Sequence, residues 1–293
     1  MESSIARIEK LSKKYLNSQA VVRMQTFLMS PNVTITQEMC ESLQLFSVEE
    51  VFDTEPINEQ HYFKIHGNSF AIEDADCLLN ATYRIVVILK ESYISKHSFD
   101  AGDRGHHNYS EEIRSIIEED GTRTYPNLLS LLCDVIKDRN RISVGVPDID
   151  VFLNHVAIIN LNPFPGIEKI SNIKKSSPLD TVWNFWADKS CHIIEELLEI
   201  INPQLVVCGG TLKYLLSDKS LFENVKKNNF PECSVLNRKI VKANVFDLNP
   251  YIGFYLDSKG TLWVDENHPA STTWSPEHIS ILKHTIETFH YAL

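Results

Sequence analysis

Four short, uninterrupted apolar runs constrain this chain more than any other feature: residues 84–89 (RIVVIL), 155–160 (HVAIIN), 204–208 (QLVVC) and, less purely, 260–265 (GTLWVD). A strand with one wet face alternates apolar and polar side chains, and these runs do not. Their β-branched residues suit strands covered on both faces of a mainly parallel sheet. Helical patterns separate them, over 110–119, 127–138, 181–201 and 212–215 extended toward 225. Strand followed by helix, repeated, predicts an α/β fold, a three-layer α/β/α sandwich around a central four-stranded, mainly parallel sheet. A turn at Asp257-Ser-Lys-Gly260 leads into the last strand, and a final helix starts at Ser275-Pro276-Glu277, where serine caps, proline fits the first turn and glutamate meets the positive end of the helix dipole.

The first eighty residues have a different texture. Ile5, Ile8 and Leu11 recur at helical spacing behind Ser3 or Ser4, the apolar face resumes over 20–29, and Ser30-Pro31-Asn32 stops it. Thr36 can cap a short helix, and Ser47-Val-Glu-Glu50 has the form of a capping box. The reading is an N-terminal helical extension, 1–80, packed on an α/β domain, 81–293. No chemistry is visible in the extension.

Several function classes fall away on composition. The 293 residues carry 28 Lys and Arg against 39 Asp and Glu, a net charge of -11, so nothing draws the whole chain to phosphate backbones or anionic lipid, and any nucleic-acid site must be local. The apolar runs are far shorter than a membrane span, and the start of the chain has neither the basic nor the apolar region of a signal peptide. A cytoplasmic protein with no membrane association is expected. Six cysteines, at 40, 77, 133, 191, 208 and 233, include no C-x-x-C pair and mostly sit in apolar stretches, so free buried thiols are expected. Dinucleotide, P-loop, α/β-hydrolase and zincin signatures are all missing, and His106-His107 lacks a second ligand pair at metal spacing. Neither a metal nor a cofactor is expected.

Ligands of open α/β sheets bind beyond the carboxyl ends of the strands. Each apolar run here ends in a polar or unusual cluster: Lys90-Glu-Ser-Tyr93, Asn160-Leu-Asn-Pro-Phe-Pro-Gly166, Gly209-Gly-Thr211 and Asn267-His-Pro-Ala-Ser271. Asn160 offers the donors and acceptor needed to read the edge of a nucleobase, although asparagine also caps turns. Pro163 to Gly166 form a stiff loop that suits either chain reversal or a wall beside a ligand. Gly209-Gly210-Thr211 can present backbone N–H groups to an anion or simply make a tight turn. His268 rides on a loop stiffened by Pro269.

Taken in order, these clusters resemble the uracil-DNA glycosylase superfamily. Val87-Ile88-Leu89 followed by Lys90-Glu91-Ser92-Tyr93 is similar to its first motif, a V-I-L strand followed by G-Q-D-P-Y-H or a G-x-N-P variant. Ile158-Ile159-Asn160 is similar to its L-L-N strand, and Val206-Val207-Cys208-Gly209 to a strand ending in W-G or L-G. His268-Pro269-Ala270 matches its H-P-S, with Ser271 one place late. The resemblance spans 83–290 and leaves the N-terminal helices outside.

The resemblance implies an enzyme that extrudes a base from DNA, reads its edge and hydrolyses the N-glycosidic bond of a deaminated or altered pyrimidine. Asn160 would bind the base, His268 would donate to the carbonyl oxygen that gains charge, and an aromatic would stack, with Tyr93, Phe99, Tyr109 and Phe164 as candidates. Ser271, Gly209, Gly210, Lys174 and Lys175 would contact phosphate. The partner would be DNA, single-stranded DNA included, or a free nucleobase. The chain departs from the family where the acid belongs: Ser92 stands at that position, with Glu91 before it, and Lys90 replaces the glycine. Serine brings no charge to a cationic sugar. Glu91 takes the role by a one-residue shift, or Asp100 or Asp103 does, or the protein no longer cleaves. The last case is a non-catalytic module binding a nucleobase or single-stranded nucleic acid.

Overall fold

The computed structural model describes residues 3–8, 70–90, 113–114, 117–118, 123–161, 178–226, 231–243 and 252–291. In chain order its elements are β1 (Phe70–Ala71), α1 (Ala75–Asn80), β2 (Ile85–Leu89), α2 (Thr124–Asn140), α3 (Asp148–His155), β3 (Val156–Asn160), α4 (Pro178–Ile201), β4 (Leu205–Gly209), two short 3-10 turns (Leu212–Leu215 and Lys219–Leu221), α5 (Phe222–Lys226), β5 (Glu232–Val235), β6 (Arg238–Lys242), β7 (Gly253–Asp257), β8 (Leu262–Glu266) and α6 (Pro276–Tyr291).

The strands form one eight-stranded mixed sheet in the order β1-β3-β2-β4-β8-β7-β6-β5. The expected four-stranded sheet is therefore too small. The four apolar runs lie side by side within it, β2 parallel to both β3 and β4, and β4 parallel to β8, while β5, β6 and β7 extend it as an antiparallel wing. A second correction concerns residues 70–71, expected within a helical extension, which pair antiparallel with Ile158 and Ile159 at the opposite margin.

Side chains along β2, β3, β4 and β8 divide by alternation between two apolar clusters, as the pleat requires. Ile85, Val87 and Leu89 pack with Val156, Ile158, Leu205, Val207, Leu262 and Val264 against α2, α3 and α6. Val86, Ile88, Ala157, Ile159, Val206, Cys208 and Trp263 pack against α4 and the Leu212–Leu215 turn. Helices thus cover both faces, and the uninterrupted apolar composition of these strands follows from having no wet face. Between the parallel strands β2 and β4 stands the register Ile85↔Leu205 through Ile88↔Cys208, which brings their carboxyl ends level.

The helix expected from 212 toward 225 is instead broken. Ser217 N–H donates to the Ser234 carbonyl (2.8 Å) and Leu236 N–H to the Leu215 carbonyl (2.9 Å), so this stretch spends its backbone groups on the edge strand β5. Among the described cysteines, 77, 133, 191, 208 and 233 are free thiols, three of them buried. No described helix is long and apolar enough to cross a membrane.

Candidate functional site

The carboxyl ends of the four parallel strands meet along one edge. Leu89 is level with Asn160, and Gly209 with Glu266, so Lys90, Asn160, Gly209-Gly210 and the 267–271 loop all emerge there. Alternation assigns Asn160, Gly209 and Glu266 to the face covered by α2, α3 and α6, and Asp265 to the face covered by α4. Asn160 is fully buried, and the next residue, Leu161, donates its N–H to the Leu89 carbonyl (2.9 Å), closing the end of the β2–β3 pair.

Gly209 explains how the histidine loop reaches this edge. A β-carbon there would lie 2.8 Å from Leu89 Cδ2, 3.1 Å from Pro269 Cδ and 3.8 Å from His268 Cα, so the loop that leaves β8 folds back over the end of β4 and approaches β2. From β4 to β3 is two strand spacings, about 10 Å. His268 and Asn160 therefore flank the ends of the central strands from two sides. Gly210 has φ +69°, and a β-carbon on it would sit 3.7 Å from the His268 nitrogen and 3.7 Å from Lys90 Nζ. Its N–H donates to the Glu266 carbonyl at 2.5 Å, and Thr211 Oγ1 donates to the Ile88 carbonyl at 2.8 Å. That pair of glycines acts as a close-packed turn, with the Gly210 N–H spent internally rather than offered to an anion.

The loop itself is well anchored. Asn127 Nδ2, in the first turn of α2, donates to the Pro269 carbonyl (2.7 Å). Trp274 Nε1 donates to the Asn267 carbonyl (3.0 Å), Ser271 N–H to the His268 carbonyl (2.7 Å), and Asn267 N–H to Glu266 Oε1 (2.8 Å). Glu266 Oε2 lies 3.3 Å from His278 Nε2 in α6, and the His278 ring meets Trp274 edge-on at 6.2 Å. Burial raises the Glu266 carboxyl above the usual range, with Asn267 N–H and His278 acting in the opposite direction.

On this scaffold the chemical state of His268 is set by two observations. Its Nδ1 accepts from Ala270 N–H at 3.3 Å, which leaves the proton on Nε2 and directs a donor away from the loop. Burial, and then the Lys90 ammonium, push its pKa down to about 4, so the imidazole is neutral at pH 7. The site thus presents a neutral N–H donor and a cation at the same sheet edge as a buried amide.

Lys90 and Asp265 escaped the sequence reading as site groups. Lys90 Nζ lies 5.9 Å from the centroid of the buried Tyr214 ring, and Lys213 Nζ 4.6 Å from it. Burial and the adjacent Glu266 raise Asp265 to about 7, against the Leu212 N–H, Lys213 and Lys90, which favour its ionised form. In the sequence Lys90 is marked only by following the apolar run of β2 directly, and Asp265 by closing that of β8. Ser271 lies just past His268, its hydroxyl 3.1 Å from that of Thr273. Glu91, Ser92, Tyr93, Phe164, Lys174 and Lys175, with Phe99, Asp100, Asp103 and Tyr109, lie outside the described residues. Among the described residues no group of three or more His, Cys, Asp and Glu side chains is arranged to hold a metal.

In comparisons with known proteins, no family model, no curated protein and no solved structure matches the chain.

Proposed function

We propose that this chain is a divergent uracil-DNA glycosylase-like protein that holds a pyrimidine at the carboxyl edge of its parallel strands and acts on the N-glycosidic bond. One observation carries the reading: His268, neutral and with Nε2 as its donor, sits on a loop folded over Gly209 at the same edge as the buried Asn160. A neutral imidazole N–H is suited to a carbonyl oxygen that gains charge as the base leaves, because the hydrogen bond strengthens with that charge. Asn160 would read the base edge. Four neighbouring parallel strands with helices on both faces are the framework such a site needs, which supports the uracil-DNA glycosylase-like form of the fold.

Ser92 in place of the family's acid favours a second reading, base or single-stranded nucleic-acid binding without cleavage. Incubating the protein with uracil-containing single- and double-stranded oligonucleotides, then assaying abasic sites and affinity in parallel, separates the two. Slow cleavage lost in Glu91→Gln with affinity kept assigns Glu91 as the acid. Cleavage that appears only in Ser92→Asp marks the natural chain as a binder. If neither binding nor cleavage is found, or if His268→Gln and Asn160→Ala leave binding unchanged, the base-pocket reading is wrong.

A further inference from the structure

At the amino edge of the parallel strands, the opposite end from Asn160 and His268, a thiol meets an imidazole. Cys77 lies in α1, which leads toward β2, and His155 closes α3 and runs straight into β3. Packing of α1 against α3 brings Cys77 Sγ to 3.6 Å from His155 Nε2, and both side chains are half-buried. His155 Nδ1 lies 2.9 Å from the Val151 carbonyl, which only accepts, so in the neutral ring Nδ1 carries the proton and Nε2 turns its lone pair to the sulfur. A nucleophile, a base within reach, and a backbone group fixing the tautomer of that base are the parts of an activated thiol. We propose that Cys77 is a site of reversible S-thiolation, in which His155 takes the thiol proton and the sulfur exchanges with a small, positively charged disulfide.

In this exchange the S–H proton passes to His155 Nε2, the Cys77 sulfur bonds to one sulfur of the incoming disulfide, and the S–S bond breaks with its electron pair on the departing sulfur. That thiolate takes the proton back from His155 and leaves as a thiol. Cys77 is oxidised to a mixed disulfide, the incoming disulfide is reduced, and attack by a second thiol reverses the step. Disulfide chemistry fits better than acyl transfer, which needs N–H donors for an oxyanion. Here the Cys77 N–H is spent on Asp74 Oδ1 (2.9 Å) and the Leu78 N–H on the Asp74 carbonyl (3.0 Å).

Burial, and then the Asp74 carboxylate, hold the Cys77 thiol above its ordinary range, so the proton stays on sulfur until His155 removes it. A thiolate of high basicity is the stronger nucleophile once formed. Glu73, Asp74 and Asp76 are exposed at the start of α1, and a cationic disulfide approaches such a surface more readily than an anionic one. The other described thiols are placed differently. Cys133 and Cys233 are buried and pushed up to about 12, and Cys208 is fully buried. Cys191 shares the partial exposure of Cys77 and serves as the internal comparison.

The test follows S-thiolation of the full-length protein by cystamine, a dication, and by 3,3′-dithiodipropionate, a dianion of similar length. Each rate is divided by that of mercaptoethanol with the same disulfide, and mass spectrometry of unreduced peptides locates the adduct. Cys77 is expected to react about tenfold faster than Cys191, and about tenfold slower in His155→Asn, whose amide still donates to the Val151 carbonyl but takes no proton. Cystamine should be favoured about fivefold at low ionic strength, a preference reduced by salt and by Asp74→Asn, which keeps the helix cap. Urea separates the pair, and the Cys77 rate should then fall to that of the other cysteines. Should His155→Asn expose Cys133 or Cys208, the comparison with urea decides alone. Equal native rates at Cys77 and Cys191, an unchanged rate in a folded His155→Asn, a Cys77 rate no higher in the native chain than in urea, or a preference for the dianion overturns the proposal.

Discussion

The tautomer and charge of His268 make the sharpest prediction, because they tie the role proposed for it to a measurable stability. In the unfolded chain this imidazole titrates near its ordinary 6.5, whereas in the folded chain burial and Lys90 lower it to about 4. Between those values the unfolded state binds more protons. Stability therefore rises with pH through this window, is fully present above about 6.5, and is lost as pH falls toward 4. A gap of about 2.5 units at about 1.36 kcal/mol each gives about 3 kcal/mol, and residual solvent contact of the ring reduces it to about 2 to 3 kcal/mol. Many carboxylates also titrate in acid, so the assay is a difference: urea unfolding of wild type and His268→Gln at a series of pH values from 4 to 7.5. The wild type should lose about 2 to 3 kcal/mol more than the variant across the series. Nitrogen NMR shifts should show Nδ1 as the acceptor and Nε2 carrying the proton at pH 7. Equal pH slopes for the two proteins, a His268 midpoint near 6.5, or a proton on Nδ1 would refute the reasoning.

Further outcomes concern stability and nucleic-acid binding. Gly210→Ala should cost about 1 to 2 kcal/mol through its left-handed backbone, and Gly209→Ala about 1 to 3 kcal/mol by driving a methyl into Leu89 and Pro269, both read from thermal or urea unfolding. Asp257→Ala should cost about 3 to 5 kcal/mol in the same assays, because it strands the buried Arg238 guanidinium and removes the acceptor for Trp263 Nε1 and the Lys259 and Thr261 N–H groups. Nucleic-acid binding should weaken steeply with added salt, and charge reversal at Lys174 and Lys175 should weaken it more than reversal of lysines before residue 70. Affinity indifferent to salt would mean that no phosphate is contacted.

Features specified by near neighbours were legible in the chain. The cap on the last helix is where serine puts it, with Ser275 Oγ accepting from His278 N–H at 3.2 Å. The turn before β8 is closed by Gly260 N–H on the Asp257 carbonyl at 3.1 Å, with Gly260 at φ +83°. The antiparallel wing was not legible. β5 and β6 are short, with alternate residues exposed and several charges, so they carry none of the apolar signal that marked β2, β3 and β4. Residues 212–221 have helical periodicity, yet they form only two short 3-10 turns, and residues 215–217 between them pair with the edge at 234–236, where a strand nearby satisfies groups that an isolated short helix would leave open.

Sequence alone pointed to central strands covered on both faces, since runs such as IVVIL and VAIIN leave no polar face for water, and it showed polar clusters following each run. Only the tertiary structure decided which of those ends communicate. Lys90, Gly210 and the Asp265 to His268 segment lie far apart in the chain and meet because β2, β4 and β8 stand in one parallel register and Gly209 lets the histidine loop fold across. The charge states depend on that meeting: burial, a neighbouring ammonium and one Ala270 N–H decide that His268 is neutral and which nitrogen holds its proton. Desolvation and charge coupling act through space over a few ångströms, so they are properties of the assembled edge rather than of any residue's place in the sequence.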